Sequence, residues 1–273
     1  MSYEHFKRTI WSKYIQTELG KECNLVADCN TQFQGEAKLG NQVKILGVNR
    51  PSISKYNQSE GLGVPETPAD NSKLLLIDQA DSFNFMVDDI DKAQSVEGLM
   101  PTLMKEAVEG MAESRDTYVG SLAAGADENM ISTSTAITTS ANAKKAIDAA
   151  LLALRENDVK LNDNVVITVS PFVYQLFRDA LVEFKTNNDD LIRKGVVGMY
   201  DNCEVKMSNC LYNDGTDDYL MVRTKRAIAF ASAIDDLEPY RPEKFFADAL
   251  KGLSVYGGKI IRPKELYVIK AHK

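Results

Sequence analysis

Hydrophobic positions change their spacing several times along this 273-residue chain, and each change predicts an element. Phe6, Ile10, Tyr14 and Ile15, with Trp11 beside them, recur near helical spacing and predict a short amphipathic helix within an N-terminal arm, residues 1–34. Val43 to Val48 and Lys73 to Ile77 then read as strands, and Phe83, Phe85 and Val87 fall on one face at period two. A long helix follows from near Leu99 to Ala124. Leu99, Leu103, Ala107, Met111, Tyr118 and Leu122 form its buried stripe, and Glu106, Glu109, Glu113 and Asp116 its solvated side. Pro101 fits only in the first turn, Gly125 is a C-terminal stop, and the helix spans about 40 Å.

Past a Ser/Thr-rich turn, Ser140 is expected to cap a second helix that buries Ala143, Ala146, Ile147, Ala150, Leu151 and Leu154. Val165 to Val169 is an unbroken apolar run, as in a strand covered on both faces. Ser170-Pro171 opens a third helix carrying Val173, Leu176, Phe177, Ala180, Leu181 and Phe184. Further strands are expected at Glu204–Ser208, Tyr219–Thr224, Ala227–Ala231, Leu253–Tyr256 and Tyr267–Ile269, with a hairpin turn at Asn213-Asp214-Gly215. The whole reads as a mixed α/β or α+β body.

The stretch Asn49 to Asn71 fits no regular element. Gly61, Gly63, Pro65 and Pro68 punctuate it, and a structureless loop of that length is more often functional than not. Fifteen extended residues span about 50 Å, whereas a globule of this length has a radius of gyration of about 18 Å. A hairpin running from Gln42 to Gly61 and back to Asp81, if extended, must protrude, and an isolated hairpin is marginal in water. Two readings stand: the ribbon rests on another subunit, or it folds back over its own body.

Composition narrows the function. The chain is 44% hydrophobic and 26% charged, which excludes disorder as its main state, and its net charge of −7 lacks the broad positive field needed to grip nucleic acid tightly. Its two histidines, His5 and His272, lie at the extreme ends, where order is usually least, which argues against histidine catalysis. Cys23, Cys29, Cys203 and Cys210 form no CxxC pair and read as reduced thiols of a cytoplasmic protein. No apolar run is long enough to span a membrane, and the first residues do not read as a signal peptide.

No phosphate-binding glycine loop, dinucleotide fingerprint or nucleophile elbow is present. Asp88, Asp89 and Asp91 read as a solvated strand end or helix cap rather than a metal site, and Lys55 as an exposed lysine. The expectation is no catalytic residue, no cofactor and no metal. A protrusion made for contact favours an assembly protein over an enzyme.

Three segments carry a family likeness. Ile77-Asp78-Gln79-Ala80-Asp81-Ser82-Phe83-Asn84-Phe85-Met86-Val87-Asp88-Asp89-Ile90-Asp91-Lys92-Ala93-Gln94 is similar to the end of the extended loop in a coat-protein group of tailed phages. Gly195-Val196-Val197-Gly198, leading to Val205 and Ser208, resembles that group's apical strand. Glu238 to Leu253, with Tyr256-Gly257-Gly258-Lys259, resembles the close of its peripheral domain. In these segments and in element order the chain resembles the Hong Kong 97-type phage capsid fold, an α+β class.

The resemblance implies a major capsid protein whose pentamers and hexamers close into an icosahedral head around the phage's double-stranded DNA, held by loose contacts. It implies an arm at 1–34, an extended-loop hairpin at 35–88, a peripheral domain at 89–125 and 236–273 with the long helix as spine, and an axial domain at 126–235. Arg50, Lys55, Tyr56, Leu62 and Val64 are the expected inter-subunit contacts. A portal and a scaffolding protein are expected partners, the scaffold separate or already removed because no long charged helical leader precedes the fold. No membrane partner is implied, and the location is the virion, with host cytoplasm during assembly. The family's lysine–asparagine cross-link has no assignable partner for Lys55. Two alternatives remain: an encapsulin-like nanocompartment shell, and a soluble enzyme with a long lid loop.

Replacing Asn49–Asn71 with a short turn is expected to leave a folded chain that fails to form stable shells in electron micrographs; normal shells would remove the loop from the mechanism.

Overall fold

A computed structural model describes residues 24–34, 42–47, 72–88, 99–161, 164–183 and 198–273. The arm helix near Phe6–Ile15, the loop Asn49–Asn71, Asp89, Asp91 and Phe184 lie outside them. The described chain runs α1 (Asn24–Ala27), β1 (Gln42–Ile45), β2 (Lys73–Leu76), β3 (Gln79–Asp88) and α2 (Leu99–Ser121), which ends in a tighter 3-10 turn at Leu122–Gly125. It continues through β4 (Thr135–Ala136), α3 (Ser140–Glu156), β5 (Val165–Val169), α4 (Pro171–Glu183), β6 (Met199–Tyr200), β7 (Cys203–Met207), β8 (Asp218–Thr224), β9 (Ile228–Tyr240), β10 (Ala247–Ile260) and β11 (Leu266–His272).

These strands make three sheets. The largest has the order β4-β11-β8-β5-β7-β6, with β5 parallel to β7 and antiparallel to β8. β5 lies in its middle, and its four valine and isoleucine side chains are fully buried, as its unbroken apolar run requires. One face packs Ile167, Leu220 and Val222 against Ile147, Leu151 and Leu154 of α3 and Val173 and Phe177 of α4. The other packs Tyr219, Met221 and Val268 against Leu25, Val119, Ala123, Ile228, Phe230 and Tyr256. The cap of α3 falls one residue before its expected place: Thr139, not Ser140, is the N-cap, accepting from the Asn142 backbone N–H at 3.3 Å.

The second sheet is β3-β10-β9, fully antiparallel. Gln79, Asp81, Phe83, Phe85 and Val87 of β3 turn inward and the residues between them outward, the alternation the sequence predicts. α2 crosses the inner face, where Met104, Val108, Met111 and Ala112 meet Phe83, Phe85, Leu237 and Leu250. Its buried stripe runs through Met104, Val108, Met111, Ala112 and Val119 to Ala123 in the closing turn; of the expected stripe Met111 is buried, and Leu103, Ala107, Tyr118 and Leu122 are half-buried. Asp116, expected in solvent, is buried at 4% exposure beside the equally enclosed Arg115. A charged residue reads as solvated from sequence when its partners lie in distant segments.

Those partners fix the helix. Arg115 forms an ion pair with Asp235 and donates to Ser254, and its guanidinium carbon stands 5.5 Å from the centre of the Tyr256 ring. The Tyr256 hydroxyl donates to Asp81 at 2.6 Å, and Ser114 donates to the same carboxylate oxygen at 2.7 Å. Burial and the Asp81 hydrogen bond push the Tyr256 hydroxyl up to about 12.

β9 and β10 are far longer than the short strands expected at Ala227–Ala231 and Leu253–Tyr256. Gly252, Gly257 and Gly258 interrupt the apolar pattern of β10, and Pro239 that of β9, which is an edge strand and tolerates it. An added Cβ at Gly252 would stand 2.4 Å from the Phe83 ring, so glycine is required for that ring to lie across the strand. The stretch 236–273 divides between sheets: β10 belongs to the three-stranded one and β11 to the six-stranded one.

Val108, 1% exposed under the three-stranded sheet, offers a stability test of this placement of α2. Val108→Asp is expected to cost several kcal/mol by burying an unpaired charge, while Glu106→Gln on the exposed side stays within about 0.5 kcal/mol. An unchanged melting temperature for Val108→Asp would refute this placement of α2.

Candidate assembly interface

The third sheet is the root of the long loop. β1 and β2 pair antiparallel, Gln42 with Leu76 and Ile45 with Lys73, so the two ends of the segment between them are held side by side. Its inner side chains, Val43, Ile45, Leu75 and, just beyond, Ile77, are buried against Ala229 and Ala231 of β9. The local sequence Ala227-Ile228-Ala229-Phe230-Ala231-Ser232-Ala233 explains the fit. Ile228 and Phe230 point to the six-stranded sheet, and the alanines between them leave room for the hairpin on the opposite face. β10 makes similar room: a Cβ at Gly257 would lie 2.0 Å from the Leu76 carbonyl oxygen.

The outer side of this root carries leucines. Leu46 is 72% exposed, and Leu74 and Leu76 are also exposed. Leu74 and Leu76 form one wall of a groove of about 430 Å³ whose other wall is Tyr118 and Leu122 at the end of α2 and Ile260 of β10, with Asp78 and Lys259 at its rim. A second apolar region lies at the far end of the three-stranded sheet. Phe246 in the β9–β10 turn is 84% exposed, with Phe245 beside it and Met86 and Tyr240 exposed on the outer face. Rows of exposed apolar side chains of this kind mark contact surfaces. In the sequence Phe245 and Phe246 stand out only as part of a family segment, and their exposure follows from a turn that no periodicity reveals.

Arg50, Lys55, Tyr56, Leu62 and Val64 all lie in the loop beyond this root, outside the described residues. So does His5. His272 does not lie in a frayed end as expected. It sits in β11, with Nδ1 2.9 Å from Asp217 and 3.1 Å from the Ser134 hydroxyl, which itself donates to the same Asp217 oxygen at 2.8 Å. The three form a closed triangle on one ring nitrogen. A catalytic relay needs the carboxylate on one nitrogen and the hydroxyl on the other, so this arrangement ties β11 to its neighbours and activates no nucleophile. Among the described residues no group of three metal-ligating side chains converges. Burial, with Asp201 nearby, pushes the Cys203 thiol up to about 11, the reverse of an activated cysteine.

No family model matches the chain, and no curated protein does. Solved structures do. A chain from Mycobacterium phage Che8 superposes with a TM-score of 0.77 over 90% of both chains at 26% identity. The capsid structure of cyanophage P-SCSP1u matches at TM-score 0.70, over 86% of this chain and 84% of that one, at 14% identity. This is the phage capsid fold. A virus-like particle from Pyrococcus furiosus also matches, at TM-score 0.61 and 11% identity, over 98% of this chain and all of the other. The structural neighbours of the chain are capsid proteins rather than enzymes.

Gly257→Ala tests the root. It is expected to destabilise the chain by about 1–3 kcal/mol, because β2 must move or β10 distort, and to speed proteolysis between Leu46 and Ser72. A variant that melts and digests like the parent would show that the hairpin is not seated on β10.

Proposed function

We infer that the chain is the major capsid protein of a tailed phage, copies of which close through pentamers and hexamers into the icosahedral shell around its genome. The observation that carries this reading is the whole-chain likeness to phage capsid structures, 90% of each chain for the Che8 match. A physical argument supports it. The hairpin root is firmly seated, its outer face is apolar, and the loop it launches is too long to stay extended within one body.

In this reading the long loop lies across a neighbouring subunit, through Arg50, Lys55, Tyr56, Leu62 and Val64. The three-stranded sheet and α2 make up the peripheral domain. The six-stranded sheet with α3 and α4 makes up most of the axial domain, which meets its mates at the capsomer centre. A scaffolding protein and a portal are the expected partners in the host cytoplasm. The net charge of −7 suits a shell that encloses DNA without clamping it. The likeness to the Pyrococcus furiosus particle supports a second reading, an encapsulin-like compartment that packages cargo enzymes. Genes for terminase and portal beside this one favour the virion, and a neighbouring cargo enzyme favours the compartment.

Electron microscopy of the purified protein, alone and with its scaffold co-expressed, is expected to show closed shells of uniform size. Small soluble oligomers under every such condition would overturn the reading.

A further inference from the structure

The segment Asn24–Asn30 is a strap gripped at both ends by buried charges. Asp116 of α2 accepts the backbone N–H groups of Asn24 and Leu25 at 3.1 Å and of Val26 at 3.2 Å. At the other end Arg223 of β8, fully buried, donates to the carbonyl oxygens of Asp28 at 2.5 Å and Leu25 at 2.9 Å. The anion faces the N–H end of the strap's single helical turn and the cation its carbonyl end, the favourable order for a peptide dipole. The Asp28 carboxylate, 3% exposed, accepts Lys206 Nζ at 2.8 and 3.0 Å and lies 3.6 Å from Lys225 Nζ. Asn30 then joins the edge of β9, donating to the Ile228 carbonyl at 2.8 Å and accepting the Phe230 N–H at 3.1 Å. Leu25 and Cys29 fill the apolar floor between these polar contacts.

We propose that this cradle is a peptide-recognition site whose ligand is the strap itself, residues 24–30, held by its own contacts and not by the covalent link through residues 35–41. Its ligand class is a short peptide forming one helical turn, with an apolar side chain at its second position (Leu25) and an acid at its fifth (Asp28). The cradle draws on α2, β7, β8 and β9, so occupancy ties the two larger sheets together. Emptying it would strip Arg223 and Asp116 of strap groups that satisfy them in a buried setting. Burial already pushes the Asp116 carboxyl up against the pull of the strap N–H groups. The inference does not depend on the capsid reading.

The test cuts the folded full-length chain at a single protease site placed within residues 35–41. The N-terminal fragment is expected to co-elute with the body in size-exclusion chromatography; a fragment that separates from the unsubstituted cut chain would overturn the proposal. Asp28→Asn in the same cut chain is expected to release the fragment roughly tenfold faster or more, and release at the parent rate would overturn the role of the acid. Amide exchange on the uncut chain gives an independent reading. Asp28→Asn is expected to raise exchange at 24–30 about tenfold while α3 and β5 keep their protection, and unchanged exchange in the strap would also overturn the proposal.

Discussion

Two adjacent charged residues on one helix, both buried, constrain this fold more tightly than any apolar contact. Arg115 and Asp116 are separated by about 100° around α2, so they face different partners. Arg115 turns to Asp235 and Ser254 of the three-stranded sheet, and Asp116 to the strap. A buried charge without its partner costs several kcal/mol, so α2 cannot slide or rotate without breaking one set or the other. Hydrophobic packing alone would tolerate such a shift, because Met104, Met111 and the alanines of α2 adapt to small displacements. The polar contacts choose one setting of the helix, and through it one setting of the sheets on either side.

The long strands carry that setting across the molecule. The register of β9 and β10 slips between Val255 and Tyr256, so that Val255 pairs with Ile234 and Tyr256 with Ser232. Ala233 is the extra residue, a bulge that bends the ribbon at the level of the Arg115–Asp235 pair. On one side of the bulge the ribbon joins β3 and covers α2. On the other it lies between the six-stranded sheet and the hairpin root, with large residues facing one and alanines the other. The polar cluster and the bulge therefore occupy the same point, where one pair of strands passes from one apolar core to the next.

Local signals made much of this legible in the sequence. The inward row of β3, the unbroken run of β5, the faces of α3 and α4 and the end at Gly125 of the 3-10 turn that closes α2 each follow from a pattern within a dozen residues. What escaped depends on distant partners. Asp116 looks solvated until residues 24–26 arrive to meet it, and Leu103 looks buried although the enclosed positions beside it are Met104 and Val108. β9 and β10 looked short because glycine, proline and acids break their apolar rhythm. Gly252 and Gly257 are there to admit Phe83 and β2, an approach invisible from either segment alone. Of the candidate assembly surface, the strand pair at its root was legible and its outward leucines were not, because facing out is a property of the packed sheet.

The distribution of exposed apolar groups argues for a subunit made to be covered. Scattered apolar residues on a surface need no explanation, and Leu152, Met199, Met207 and Leu253 are of that kind, but the other large ones exposed among the described residues gather at two places, the leucine row of the hairpin root and the phenylalanines of the β9–β10 turn. Both places stand on firmly packed elements, so their exposure does not come from loose structure. A chain shaped only for its own stability would turn Leu74 and Leu76 inward or replace them. It would also have no reason to leave alanine after alanine in β9 so that a hairpin can seat there. The same body offers no converging acids, bases or nucleophile among its described residues, and its one Ser–His–Asp contact closes on itself. Rigid placement of exposed apolar surface, joined to a phage capsid fold over nine-tenths of the chain, places the work of this molecule in its contacts with other copies.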